Sequence, residues 1–254
     1  LAASLTATTI LTGRPVRAIA RTDHANPRDG YTVHLDGGVL RADALILATP
    51  APAAADLLSE VSPQAATLLR QIPYVSTAVV ALGYRRSDVV SPMRGHGFVV
   101  ARGEAVRITA CTWVSSKWPG CAPPDHVLLR CYLGKAGDES ASDLDDDALI
   151  SLVRDDLRTT MGIAAEPALV RVYRWKAAMP QYLVGHLRRL EAIEAAMAGA
   201  PGIALAGAAY RGVGIPDCVR QGIEAAARVA DHLEILSPPD CWPLFSSPTL
   251  RIGD

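Results

Sequence analysis

Gly202-Ile203-Ala204-Leu205-Ala206-Gly207-Ala208-Ala209-Tyr210-Arg211-Gly212-Val213-Gly214-Ile215-Pro216-Asp217-Cys218 is the stretch from which the fold can be read. Its first six residues form a short apolar run of the kind buried on both faces of a parallel sheet. A glycine-rich turn follows. A helix is then expected from about Asp217 to Leu233, with Val219, Ile223, Ala226, Ala230 and Leu233 inward. Gly212 and Gly214 let the backbone approach a ligand closely, and Asp217 can cap the helix. A helix N-terminus offers free N–H groups and partial positive charge. These suit a phosphate, or a ring edge that gathers negative charge on reduction, such as that of a flavin. By itself the pattern reads equally well as a plain strand-to-helix turn.

Working outward, Ala44-Leu45-Ile46-Leu47-Ala48 is a second buried-strand run, and the two are expected to pack together. Before it, Arg14–Ile19, Tyr31–Leu35 and Val39–Ala42 alternate as strands, with polar turns at Asn26–Gly30 and Asp36–Gly38. Helices are expected from Pro52 to Leu58 and from Pro63 to Leu69, the latter capped by Ser62. The middle differs. Ser76–Tyr84, Gly97–Ala101, Val106–Ser115, Val127–Leu133 and Ala168–Trp175 read as strands, the first four without intervening helices, which argues an antiparallel sheet. Ser142–Asp145 looks like a helix start, followed by Leu149, Val153 and Leu157 on one face before Gly162. Leu183, Leu187, Leu190 and Met197 recur at helical spacing. The fold expected is mixed α+β and α/β. Residues 1–55 and 200–235 form one layer, 56–199 an inserted, mostly antiparallel sheet-plus-helix region, and 236–254 a loop-like tail without periodicity.

Composition narrows the function. The 254 residues carry a net charge of −1, which offers no electrostatic footprint for nucleic acid. No apolar run reaches the length of a membrane span, although peripheral attachment needs only a patch. The five cysteines (Cys111, Cys121, Cys131, Cys218 and Cys241) form no C-x-x-C pair and read as reduced thiols. The six histidines make no metal-binding pattern, and no G-x-S-x-G elbow anchors a hydrolase triad. Asp143, Asp145, Asp146 and Asp147 read as a solvated helix start rather than a calcium loop. Leu1 is no initiator and no leader pattern follows it, so the chain is expected to begin inside a longer protein.

Residues 207–218 strongly resemble the C-terminal flavin-contacting segment of the protoporphyrinogen and coproporphyrinogen oxidases, within the flavin amine oxidase superfamily. Three more segments resemble that family in its order: Ala42–Pro52, Thr112–Pro119, and Arg174–Trp175 with Ala178–Tyr182 and Gly185–Leu187. The resemblance runs from about Val16 to Leu233. It implies FAD as cofactor, held in part of a Rossmann-like domain into which the substrate domain is inserted. Val16 would contact the adenine side, Trp175 would pack near the isoalloxazine, and Val213, Gly214 and Ile215 would give backbone contacts to the flavin. On their own, Val16 reads as a strand residue and Trp175 as a core aromatic.

The implied reaction removes hydride repeatedly from a porphyrinogen in heme synthesis, with oxygen as acceptor and hydrogen peroxide as product. No catalytic acid or base stands out. Lys117, Arg130, Arg174 and Arg211 are candidates for the substrate's propionates, although surface solvation is the commoner role of such residues. The resemblance also implies a cytoplasmic protein, with peripheral membrane contact left open. The family's G-x-G-x-x-G turn, which holds the FAD pyrophosphate, is absent from this sequence. The N-terminal half of the enzyme is therefore expected to be missing and the chain inactive alone. Another flavin amine oxidase relative, a desaturase or amine oxidase, and a non-catalytic remnant are the alternatives.

Overall fold

The computed structural model describes residues 2–22 and 30–235. In chain order the elements are β1 (Val16–Arg21), β2 (Tyr31–Leu35), β3 (Gly38–Ala42), β4 (Leu45–Leu47), α1 (Ala51–Leu57), α2 (Pro63–Arg70) and β5 (Tyr74–Arg85). Then come β6 (Gly97–Val99), β7 (Ile108–Trp113), α3 (Val114–Lys117), β8 (His126–Leu133) and α4 (Asp146–Met161). The last are β9 (Leu169–Pro180), α5 (His186–Met197), β10 (Ile203–Leu205) and α6 (Ile215–His232). The expected turn at Asn26–Asp29 and the tail from residue 236, with Cys241, lie outside the described residues. Two compact units are present: Leu1–Ile72 with Tyr182–Asp254, and Pro73–Gln181.

In the first unit β1, β2 and β3 make an antiparallel meander that buries Ile19, Tyr31 and Val33. The two apolar runs pair as expected. β4 and β10 are parallel, with Leu45 opposite Ile203 and Leu47 opposite Leu205. Pro52 enters the first turn of α1, where a missing N–H costs nothing, and the buried Ala51, Ala54, Ala55 and Leu57 face inward. Ser62 precedes α2, but its hydroxyl caps no amide; it donates instead to the Ala196 carbonyl at 3.1 Å. That tertiary bond corrects the capping expectation. α2 packs on α1 and α5, burying Ala65, Ala66 and Leu69 together with Leu190 and Ile193. Both helices therefore belong to this unit, and the inner unit is Pro73–Gln181, shorter than the 56–199 region expected.

α6 departs from expectation in two ways. It starts at Ile215, because Gly214 takes the N-cap conformation and Pro216 fits the first turn. Its buried residues are Gln221 and Ala225, and Ala225 with partly buried Val229 meets the small Ala204 and Ala206 of the last-strand region. Of the residues expected inward, Val219 is 44% exposed and Ala226 is exposed, whereas Ile223, Ala230 and Leu233 are partly buried, so the inward face is rotated from the one expected.

The inner unit is a five-stranded antiparallel sheet in the order β6-β7-β8-β5-β9. Alternation sends Ala78, Val80, Leu82 and Tyr84 of β5, and Val127, Leu129, Cys131 and Leu133 of β8, to one face. α4 covers it with Leu149, Val153 and Leu157, each fully buried and worth about 1.5–3 kcal/mol. Asp145 caps α4 by accepting from the Ala148 amide at 2.8 Å, and Gly162 ends it at φ 67°. The aspartate run is thus a helix start, with Asp146 and Asp147 in its first turn. Asp156, buried on α4, accepts from the Arg107 and Ile108 amides at 2.7 and 2.8 Å, tying the helix to the irregular start of β7. Within the core the Cys111 and Cys131 sulfurs lie 3.7 Å apart. The neighbouring Cys111 thiol, then burial, holds Cys131 well above the usual thiol range. Burial pushes Tyr84 up to about 12.

Candidate functional site

The turn before α6 is held from three sides within its own unit. The Tyr182 hydroxyl donates to the Ala208 carbonyl at 2.6 Å and accepts from the Gly212 amide at 3.0 Å. His186 stacks on Tyr182 with ring centroids 4.1 Å apart, and its buried Nε2 bonds to the Tyr210 carbonyl at 2.9 Å. A carbonyl can only accept, so the imidazole proton sits on Nε2 when the ring is neutral. Gln221 closes the third side: its Oε1 accepts from the Arg211 amide at 3.3 Å, and its Nε2 donates to the Gly212 and Asp217 carbonyls at 3.4 and 3.1 Å. Burial raises the Tyr182 pKa, so the hydroxyl stays protonated as this clamp requires.

Gly212 has φ 131°, and a Cβ there would stand 2.5 Å from the Asp217 carboxylate. Only glycine fits. Gly214, at the N-cap, brings no side chain, and Asp217 does not cap; it sits in the first turn, with Arg220 3.5 Å away. The expected capping role of Asp217 is thereby corrected. Val213 is 58% and Ile215 81% exposed beside this uncapped helix start. Such a start, with apolar side chains at its rim and no side-chain cap among the described residues, fits the carbonyl-bearing edge of a flavin.

Val16 lies in the same unit, on β1 at the bulge opposite Leu35, 40% exposed. It lines an open, largely apolar cavity of about 520 Å³ with Ile46, Leu47, Thr49 and Leu57. The buried Thr49 hydroxyl there has no hydrogen-bond partner among the described residues.

Trp175 belongs to the inner unit, on β9 opposite Thr77, and is 56% exposed. It is not a core aromatic within this unit. It stands on the sheet face that α4 leaves open. On that face Tyr132 and Tyr173 flank Val79, and Arg130 and Arg171 flank Ala81. The four cationic candidates separate here. Arg174 points to the covered face and is tied to Asp146 and the Leu144 carbonyl at the start of α4. Arg211 pairs with Glu194 at 2.8 Å, which raises its pKa. Lys117 lies 4.6 Å from the centre of the Trp118 ring. Arg130 alone of the four stands on the open face.

Sequence reading placed Tyr182 and His186 in family-like segments without a role, and passed over Gln221 and Arg171. The usable signal was a polar residue at a core position: His186 on α5 and Gln221 on α6 are both buried.

The family described as flavin containing amine oxidoreductase matches residues 1–230. The coproporphyrinogen III oxidase of Bacillus subtilis (strain 168) is 46% identical over 208 residues, covering 81% of this chain and 43% of the relative. The chloroplastic protoporphyrinogen oxidase 1 of Spinacia oleracea is 31% identical over 204 residues, covering 76% and 36%. A solved structure from Exiguobacterium sp. 255-15, provisionally named a protoporphyrinogen oxidase, superposes with a TM-score of 0.73 at 36% identity, covering 87% of this chain and 47% of that one. The chain spans less than half the length of each of these proteins.

Proposed function

The chain belongs to the flavin containing amine oxidoreductase family, and from that premise we propose that it serves the FAD-dependent oxidation of a porphyrinogen, coproporphyrinogen III or protoporphyrinogen IX, to the porphyrin in heme synthesis. The observation that carries this reading is the clamped, glycine-opened and uncapped start of α6 in a chain with named porphyrinogen-oxidising relatives. In this reading the unit formed by residues 1–72 and 182–235 is part of a Rossmann-like FAD domain, and the sheet unit Pro73–Gln181 is the inserted substrate domain. The parallel β4–β10 pair and the antiparallel inner sheet support that division.

Bound FAD would supply the hydride acceptor and pass electrons to oxygen, with hydrogen peroxide as product. The residues of this chain have narrower tasks. The amides of Val213, Gly214 and Ile215 would hold the flavin, Val16 would contact the adenine side, and Trp175 would pack near the isoalloxazine. Tyr182, His186 and Gln221 hold the turn in the shape those contacts need. The pyrophosphate requires a glycine-rich turn that this sequence does not contain. We assign that turn to a complementary N-terminal half of the same enzyme. The outward apolar face of α6, with Val213, Ile215 and Val219, supports a partner there. Oxygen and the porphyrinogen are the small-molecule partners, the compartment is the cytoplasm, and any membrane contact is peripheral.

The test is reconstitution. The chain is co-expressed with the N-terminal half of the B. subtilis relative, and the product is supplied with FAD and coproporphyrinogen III. The expected result is retained flavin and a rise in porphyrin fluorescence with peroxide release. A complex that retains flavin yet forms no porphyrin from either porphyrinogen overturns the reading.

A further inference from the structure

The open face of the inner sheet carries no carboxylate. Along the stretch from Ala81 to Thr77 and the strands beside it, it presents Ala110 and Thr112 of β7, Arg130 and Tyr132 of β8, and Arg171, Tyr173 and Trp175 of β9. Their order is regular. Tyr132 and Tyr173 flank Val79, so a small residue lies between two rings; one step along the strands, Arg130 and Arg171 flank Ala81 in the same manner. Neighbouring strands are about 4.8 Å apart, so the backbones bearing the two arginines are roughly 10 Å apart on one face. Both are exposed, and neither has a carboxylate partner among the described residues. In the other direction along β5, past Trp175 and its opposite Thr77, an open cavity of about 450 Å³ is lined by Thr77, Thr109, Met179 and Gln181 and by two further cations, Arg102 and Lys135. From Ala81 to Thr77 is on the order of 14 Å of strand. The face therefore has an aromatic middle and a pair of cations at each end.

Resting on the porphyrinogen reading above, we propose that this face is the tetrapyrrole platform and that it selects a macrocycle carboxylated at both ends. Arg130 and Arg171 take the carboxylates of one end, and Arg102 and Lys135 those of the other. The tyrosine row and Trp175 meet the macrocycle itself. Guanidinium groups suit this task because they grip carboxylates through paired donors, and rings offset from the macrocycle supply apolar contact area. Coproporphyrinogen carries a propionate on every ring, whereas protoporphyrinogen carries them along one edge. The cation pairs match the former.

The experiment uses the 254-residue chain and oxidised porphyrins, which bind without turnover and report by fluorescence. Coproporphyrin III, its tetramethyl ester and protoporphyrin IX are each titrated against wild type, R130Q/R171Q, R102Q/K135Q and the control R188Q. Arg188 is an exposed residue of α5 outside the face. Circular dichroism confirms that the variants remain folded. Each double variant is expected to weaken coproporphyrin III at least tenfold, and only one of them to weaken protoporphyrin IX. The ester is expected to bind no better to wild type than to either variant, and R188Q to behave as wild type. Three results overturn the proposal: a wild-type chain that binds no porphyrin, ester binding as tight as the acid, or a double variant within twofold of wild type for coproporphyrin III. Porphyrin formation by the reconstituted enzyme tests the underlying reading separately. If it occurs while the arginine variants bind normally, the reading stands and the platform falls. If it fails while the binding pattern holds, the platform stands as a porphyrin-binding face without the oxidation.

Discussion

Replacing Gly212 by alanine tests the turn before α6 at its tightest point. The backbone there has φ 131°, a region that costs a side-chain-bearing residue on the order of 1–3 kcal/mol. The added Cβ would also stand 2.5 Å from Asp217 Oδ2 and 2.6 Å from Asp217 Cβ, so the carboxylate or the turn must move. If the turn moves, the Gly212 amide leaves the Tyr182 hydroxyl, and a hydrogen bond worth about 0.5–1.5 kcal/mol goes with it. The combined cost of G212A is about 2–4 kcal/mol, which lowers the melting temperature by about 2–4 °C per kcal/mol in a chain of this size. G214A is the control. Gly214 has an ordinary φ of −68°, and its added Cβ would lie 3.1 Å from the movable Asp217 Oδ2, so it should cost only a few tenths of a kcal/mol. G212A/D217A separates the parts, because it removes the 2.5 Å carboxylate contact and leaves the backbone strain together with the 2.6 Å approach to the Cβ of residue 217. Thermal unfolding by circular dichroism reads all four proteins. A G212A melting point within about 1 °C of wild type would refute the reasoning.

Other expectations follow from the same geometry. D156A strips the acceptor from two amides at the start of β7 and should destabilise the chain by on the order of 3 kcal/mol in urea titration, with D156N in between; wild-type stability in D156A would show those amides to be satisfied otherwise. Because burial raises the Tyr84 pKa to about 12 from its ordinary value near 10, folding binds that proton more tightly. The stability it contributes is complete below pH 10 and is lost between about pH 10 and 12, and Y84F should remove that part of the pH dependence. Finally, the chain desalted after incubation with FAD should retain little flavin, since its sequence contains no G-x-G-x-x-G turn to hold the pyrophosphate. A stoichiometric yellow protein that turns over porphyrinogen would sink that assignment.

What could be read from the residues depended on how local the deciding contact is. The apolar runs at Ala44–Ala48 and Ile203–Ala206 announce strands buried on both faces, and two such runs in one chain have few partners except each other. Alternation in β5 and β8 and the Leu149–Val153–Leu157 stripe are local periods, and they survive. The orientation of α6 did not, because amphipathicity says which side is apolar but not which neighbour is at hand. Ala204 and Ala206 pack against Ala225 and Val229, and Gln221 one turn earlier is held inside by its bonds to the Arg211 amide and the Gly212 carbonyl. Arg174 shows the limit of adjacency: it follows Tyr173 and precedes Trp175, yet a strand sends consecutive side chains to opposite faces, and this one meets α4. The Tyr182–Gly212 and His186–Tyr210 bonds join residues far apart in sequence, so no local pattern reports them.

The pairing of β4 with β10 also orders events during synthesis. Every strand of the inner sheet lies in one continuous run, so that unit can complete its pairings as soon as β9 has emerged. β4 must wait for β10, made only after the whole inner sheet and α5. Closing so distant a pair is entropically costly until the intervening chain has become compact, and such non-local contacts form late. Until then β4 presents a bare apolar strand to the cell, a template for unwanted pairing. The inner sheet thus acts as a folding spacer: by becoming compact first, it shortens the effective loop that the parallel pair has to close.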